Sequence, residues 1–166
     1  MKTSDHPAPI MKIARLTLSD RASAGIYEDL SGPEIERILT EAGFTDIDWH
    51  RHVMPDDRAE IETLLRSLCD QEKCQLILTT GGTGPSARDN TPEATRAVLD
   101  RELPGFGEAM RMRSFDKVPT AILSRSTAGT RGQSLILNLP GNPKAIGECL
   151  PMLIPAIKEA MRHLGE

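Results

Sequence analysis

Apolar residues recur along this chain at helical spacing, in loose alternation and in unbroken runs, and each pattern predicts an element. Residues 11–19 carry Ile13, Leu16 and Leu18 ahead of the turn-rich stretch 20–32, which reads as a strand feeding a loop. Ser31 and Glu34 then form an S-x-x-E capping box with Pro33 in the first turn, and Ile35, Ile38, Leu39 and Ala42 supply a helix face until Gly43. Residues 46–54 predict a second, less apolar strand stopped by Pro55. Residues 58–72 return to helical spacing at Ile61, Leu64, Leu65 and Leu68. The run Leu76, Ile77 and Leu78 within residues 75–80 is unbroken, as in a central parallel strand buried on both faces. Thr91 as cap and Pro92 as first position open another helix, with Ala94, Ala97, Val98 and Leu99 behind them. Residues 106–115 predict a helix of poor period. Residues 121–126 and 134–139 read as strands around the Gly129 and Gly132 turn. Asn142 then caps a last helix with Pro143 at its first position, which Pro151 and Pro155 are expected to kink or split.

Strands and helices in this alternation imply an α/β fold, a three-layer α/β/α arrangement whose central sheet is mostly parallel and covered on both faces. The short connection in the late strand pair allows one antiparallel strand. A length of 166 residues with 39% hydrophobic content suits one domain, taken as residues 11–166. Residues 1–10 lack an apolar period and read as a flexible N-terminal extension; they also lack the apolar core of a signal peptide. No apolar stretch approaches the about 18 residues of a membrane span. No membrane partner and a cytoplasmic location are therefore expected.

Cys69, Cys74 and Cys149 contain no C-x-x-C and predict reduced thiols used in packing. His50 and His52 share one face of a strand without a third ligand nearby, so an exposed face is expected rather than zinc. A net charge of −4 and 3% aromatic content argue against a nucleic-acid partner, which calls for a basic face and stacking rings. An anionic ligand would then be held locally, by backbone amides, a few Arg and Lys, and a divalent cation.

Three stretches join a strand end to a helix start: residues 20–31, 80–91 and 140–142. Ligands of open α/β sheets bind at the carboxyl ends of strands, and helix N-termini offer unpaired N–H groups to phosphate. A P-loop is excluded because no lysine and hydroxyl follow Gly84. Gly82 to Ala87 fits a loose G-x-G-x-x-A, but Pro85 stiffens the turn and no ribose-binding acid follows about 20 residues later, so hydride chemistry is not expected.

Taken whole, the run Thr79-Thr80-Gly81-Gly82-Thr83-Gly84-Pro85, then Arg88-Asp89, then Thr91-Pro92-Glu93-Ala94, closely resembles the molybdenum cofactor biosynthesis domain shared by MogA-type adenylyltransferases, MoaB proteins and the gephyrin G domain. Residues 19–25, Pro55-Asp56, Pro104-Gly105-Phe106 and residues 139–145 extend the resemblance over 11–164. Ala121 to Arg125 and the Leu-Pro-Gly-Asn-Pro run resemble the adenylyltransferase branch; Asn90, where Val is expected, departs from it. The resemblance implies that the terminal phosphate of molybdopterin attacks the α-phosphate of ATP, with Mg²⁺ present, giving adenylylated molybdopterin and pyrophosphate. It makes Asp56 and Asp89 the catalytic and metal-holding pair. Gly81, Gly82, Thr83 and Gly84 would let the chain approach phosphate closely. Arg88, Arg21 or Lys144 would offset substrate charge, with Asp20, Ser23, Gly25, Thr80, Glu108, Ser124, Gly141 and Asn142 completing the pterin and nucleotide sites. A homotrimer and transfer of product to a molybdenum insertase are also implied.

Each assignment has a plainer reading. Asp20 and Asp89 sit where an Asp commonly bonds its own loop backbone, and Asp56 precedes a helix it could cap. A pterin-binding scaffold without turnover would keep the same fold, and the second carboxylate is what separates enzyme from scaffold.

Overall fold

The computed structural model describes residues 10–166; the extension expected over residues 1–10 falls outside it except for Ile10, which is exposed. In chain order the elements are β1 (Met11–Leu18), α1 (Asp20–Ser23), α2 (Ser31–Glu41), β2 (Ile47–Met54), α3 (Arg58–Asp70), β3 (Leu76–Thr80), α4 (Thr91–Val98), β4 (Arg101–Glu102), α5 (Gly105–Phe115), a 3-10 helix (Pro119–Leu123), β5 (Ala128–Arg131), β6 (Ser134–Leu139) and α6 (Pro143–Leu164). The strands form one sheet in the order β2-β1-β3-β6-β5-β4. Pairs β1–β2, β1–β3 and β3–β6 are parallel, while β5 is antiparallel to both β6 and β4. Only β5 therefore runs against the others, as the late strand pair allows.

Strand alternation sends successive side chains to opposite faces, and this makes the three layers. Ile13, Leu76, Leu78, Leu135 and Leu137 pack with Ile35 and Leu39 of α2, Phe106 and Met110 of α5, and Ile146, Leu150 and Ile157 of α6. Ala14, Leu16, Leu18, Ile77 and Ile136 face the other way, onto Ile61, Leu65 and Leu68 of α3 and Ala94 and Val98 of α4. Cys69, Cys74 and Cys149 are buried free thiols; burial pushes the Cys69 thiol up and the Cys74 thiol up to about 12, which keeps both poorly nucleophilic. Among the described residues no helix is long and apolar enough to cross a membrane.

Several local expectations change. Ser31 does not cap α2: its hydroxyl donates instead to the Gly141 carbonyl at 2.8 Å. The Asp29 carboxylate does the capping, with Oδ1 accepting from the amides of Ser31 at 3.1 Å and Gly32 at 3.0 Å. Thr91 is the first residue of α4 rather than its cap, and its hydroxyl donates to the Gly81 carbonyl at 2.9 Å. Residues 121–126 are not a strand. Ile122 and Leu123 are 61% and 53% exposed on the 3-10 helix, so this apolar run never enters the sheet, and β5 follows it. Asn142 caps α6, its Oδ1 accepting from the Lys144 amide at 2.8 Å. Pro151 and Pro155 do not split that helix. They lie four apart on its exposed face, where the carbonyls they leave without an N–H partner can turn to water. His50 and His52 are half-buried rather than exposed, and burial, then the charges of His50 and Arg15, hold the His52 imidazole below its ordinary value.

Candidate active site at the carboxyl ends of the strands

Parallel pairing places the carboxyl ends of four neighbouring strands on one rim: Leu18 stands opposite Met54, Thr17 opposite Thr80, and Thr80 opposite Leu139. The loops that leave these ends enclose a cavity of about 660 Å³. Two hydrogen bonds tie its walls, from the Ser19 amide to the Met54 carbonyl at 3.0 Å and from the Thr80 hydroxyl to the Pro140 carbonyl at 2.6 Å.

The floor is a turn that only glycine fits. Gly81 and Gly82 have φ of +93° and +66°, a left-handed backbone that side chains disfavour. A Cβ at Gly81 would strike the Leu18 carbonyl oxygen, and one at Gly82 would strike Asp56 Oδ2 and Thr91 Oγ1. The Gly82 backbone therefore lies directly against the Asp56 carboxylate.

Asp56 arrives from the end of β2, where Pro55 stops the strand, and Asp57 rather than Asp56 caps α3. Its Oδ1 accepts from the Asn90 amide at 3.3 Å, and its own amide donates to Asp20 Oδ1 at 3.2 Å. The other Asp20 oxygen accepts from Arg88 Nε at 2.7 Å and from Arg88 Nη2. Asp89 bends back over its own loop and accepts from the Ser86 amide at 3.0 Å, as an Asp beside a turn commonly does. Burial raises the Asp56 carboxyl to about 6; the Asn90 hydrogen bond and Arg88 oppose this, and the charges of Asp89 and Asp20 reinforce it. Asp20, Asp56 and Asp89 thus line one cavity together with Arg21 and Arg88, and Arg88 is already paired with Asp20. Among the described residues no group of three or more His, Cys, Asp or Glu side chains encloses a metal ion by itself. The donor set suits a cation of the Mg²⁺ kind, which takes one or two carboxylates and completes its shell with water and substrate phosphate.

Residues 14–159 match the family model described as "Probable molybdopterin binding domain". The chain belongs to this family. A molybdopterin adenylyltransferase of Helicobacter pylori (strain J99) is 54% identical over 145 residues, covering 87% of this chain and 82% of the relative. Among solved structures, the molybdopterin biosynthesis Mog protein of Mycobacterium ulcerans superposes with a TM-score of 0.85 at 36% identity, covering 93% of this chain and 99% of that one. The molybdopterin biosynthesis enzyme MoaB of Thermus thermophilus gives 0.80 at 42%, covering 91% and 96%.

Of the site residues expected from sequence in this molybdopterin-binding domain, Asp20, Arg21, Asp56, Thr80, Gly81, Gly82, Arg88, Asp89, Gly141 and Asn142 line the one cavity. The structure does not bring the others to its wall. Thr83 is buried, and its carbonyl accepts from the Arg125 amide. Gly84 sits under the Asp89 carboxylate, and Ser124 bonds Ser126 at 3.1 Å. Glu108 is exposed on α5; Ser23 bonds the Asp20 carbonyl at 3.0 Å, and Gly25 lies in open space. Lys144 stands exposed one turn position beyond the lining residue Pro143.

Among the residues that sequence reasoning did not assign to the site, Tyr27, Asp29 and Arg125 have defined contacts there. Tyr27 lines the cavity, and its hydroxyl pairs with that of Ser19 at 2.8 Å. Asp29 lines it too, while bonding Thr17 Oγ1 at 3.0 Å and the buried Arg15 at 3.1 Å. Arg125 reaches the glycine loop from 41 positions away. Only the capping preference of an Asp two residues before a helix start could have flagged Asp29.

Proposed function

We propose that this protein is a molybdopterin adenylyltransferase, transferring AMP from ATP to the terminal phosphate of molybdopterin with release of pyrophosphate. The observation that carries this reading is that Asp56, just past the end of β2, and Asp89, in the loop between β3 and α4, line one cavity with the glycine turn. A protein that only held a pterin would gain nothing from clustering negative charge where phosphates must lie. An enzyme that moves a phosphoryl group does, because such transfer depends on positioning and on charge neutralisation.

In this reading the turn at Gly81 and Gly82 would bring backbone close to the ATP phosphates, and Asp56 and Asp89 are the residues that would hold Mg²⁺. When bound, the cation offsets the charge of the phosphates and of the departing pyrophosphate. Arg88, now paired with Asp20, is the cation best placed to meet a phosphate entering the cavity. The family likeness supports molybdopterin as the acceptor. The protein works in the cytoplasm as a homotrimer and passes its product to a molybdenum insertase. Exposed Met112, Phe115, Val118, Ile122 and Leu123, on α5, the 3-10 helix and the link between them, support an assembly that covers them. The direct test is pyrophosphate release from ATP: it should require both molybdopterin and Mg²⁺, and release independent of molybdopterin would refute the assignment.

A further inference from the structure

The segment from Gly84 to Asp89 carries one of the two carboxylates on which this chemistry turns, yet it belongs to no helix or strand. A single residue fastens its two ends. Arg125, between the 3-10 helix and β5, donates its backbone N–H to the Thr83 carbonyl at 2.8 Å. Its side chain donates from Nε to the Gly84 carbonyl and from Nη2 to the Asp89 carbonyl, each at 2.9 Å. The remaining Nη1 meets the Glu93 carboxylate in the first turn of α4. Burial pulls the Glu93 carboxyl upward, but hydrogen bonds from Arg125 and from its own backbone, with the charges of Arg125 and Arg96, leave it below its ordinary value. The guanidinium is thus fixed by a helix on one side and holds the loop on the other. Inside the loop, Asp89 Oδ2 lies 2.9 Å from where a Cβ on Gly84 would stand. The two clamped carbonyls bracket the loop in which Asp89 Oδ2 accepts from the Ser86 amide at 3.0 Å, so the guanidinium spans the segment that carries this carboxylate.

We infer that Arg125 is a positioning residue for adenylyl transfer, holding the Gly84–Asp89 loop in the shape that presents the Asp89 carboxylate to the cavity. Arg125 is not among the cavity-lining residues, so it acts through Asp89. The inference rests on the adenylyltransferase reading for its chemistry and on hydrogen bonds alone for the clamp. A planar fork can serve two carbonyls and a carboxylate at once. Lysine in its place would keep a charge for Glu93 and lose the geometry.

The test compares Arg125→Lys and Glu93→Gln with wild type by amide hydrogen exchange and by turnover. Arg125→Lys should speed exchange between Ser86 and Asn90 while β3 and α6 stay protected. It should lower kcat about 10- to 100-fold, the scale of a small misplacement of a reacting group, with KM for ATP little changed. Combined with Asp89→Asn it should lose little more, because both changes act on one carboxylate. Glu93→Gln should act in the same direction less strongly, and it decides the matter if Arg125→Lys fails to fold. Wild-type turnover with unchanged loop exchange overturns the inference, as do additive losses accompanied by loosening of the whole domain. If wild-type protein makes no adenylylated product, the adenylyltransferase reading has failed; faster loop exchange in Arg125→Lys then still supports the clamp, and unchanged exchange still overturns it.

Discussion

Asp56 is costly to keep ionised where it stands, with Gly82 against its carboxylate and two further carboxylates in its field. Its folded value of about 6 lies above the ordinary 3.8, so between those pH values the folded state binds more protons than the unfolded one. Stability from this group therefore falls as pH rises from about 4 to about 6, and above that the full penalty is present. In metal-free protein, Asp56→Asn should melt at or above wild type at pH 7.5, with the advantage gone near pH 4; thermal melts at the two pH values check this. Gly82→Val should do more than block phosphate. It forces a β-branched residue into positive φ and into Asp56, at a cost of about 2 kcal/mol or more, read from urea unfolding. The placement of Gly81, Gly82, Asp56 and Asp89 at one cavity was legible because they lie in short runs of sequence at strand ends and the loops that follow. Arg125 and Asp29 were not, because what they do depends on partners brought together only by folding: Arg125 holds carbonyls 41 and 36 positions away.

At the scale of elements, hydrophobic spacing located both helix layers and the four parallel strands that form the rim, since each of these buries a regular apolar face. It failed where apolar residues stay outside, at residues 121–126, and at β4, which is two exposed, charged residues long. The start of α2 shows a subtler failure: the capping box is present in sequence, but Ser31 is drawn away to Gly141 and Asp29 supplies the cap. Asp29→Ala should therefore uncap α2 and leave Arg15, whose side chain is only 9% exposed, without its closest carboxylate. A loss of about 3 kcal/mol in denaturant unfolding is expected, with Asp29→Asn losing less, because removing one partner of a buried pair strands the other charge. In α6, Pro151→Ala should restore an N–H to an exposed helix position and raise the unfolding free energy by about 1 kcal/mol or more, again read in denaturant.

For the whole molecule, the sheet order explains why the candidate site is a single rim: β1, β3 and β6 are adjacent and parallel, so their loops share one cavity with the end of β2. The apolar residues of α5 and the 3-10 helix lie outside both core clusters except Phe106 and Met110. Light scattering should give about three times the 18.2 kDa chain mass, and a monomer at micromolar concentration would contradict the trimer. The proposed chemistry is adenylyl transfer organised by Asp56 and Asp89. The most direct measurement is mass detection of adenylylated molybdopterin after incubation with molybdopterin, ATP and Mg²⁺, run with wild type, Asp56→Asn and Asp89→Asn. Wild type should accumulate the product, while each variant should still bind molybdopterin but turn over about 10²–10³-fold more slowly. Wild-type rates in both variants, or no adenylylated product from wild type, would contradict it.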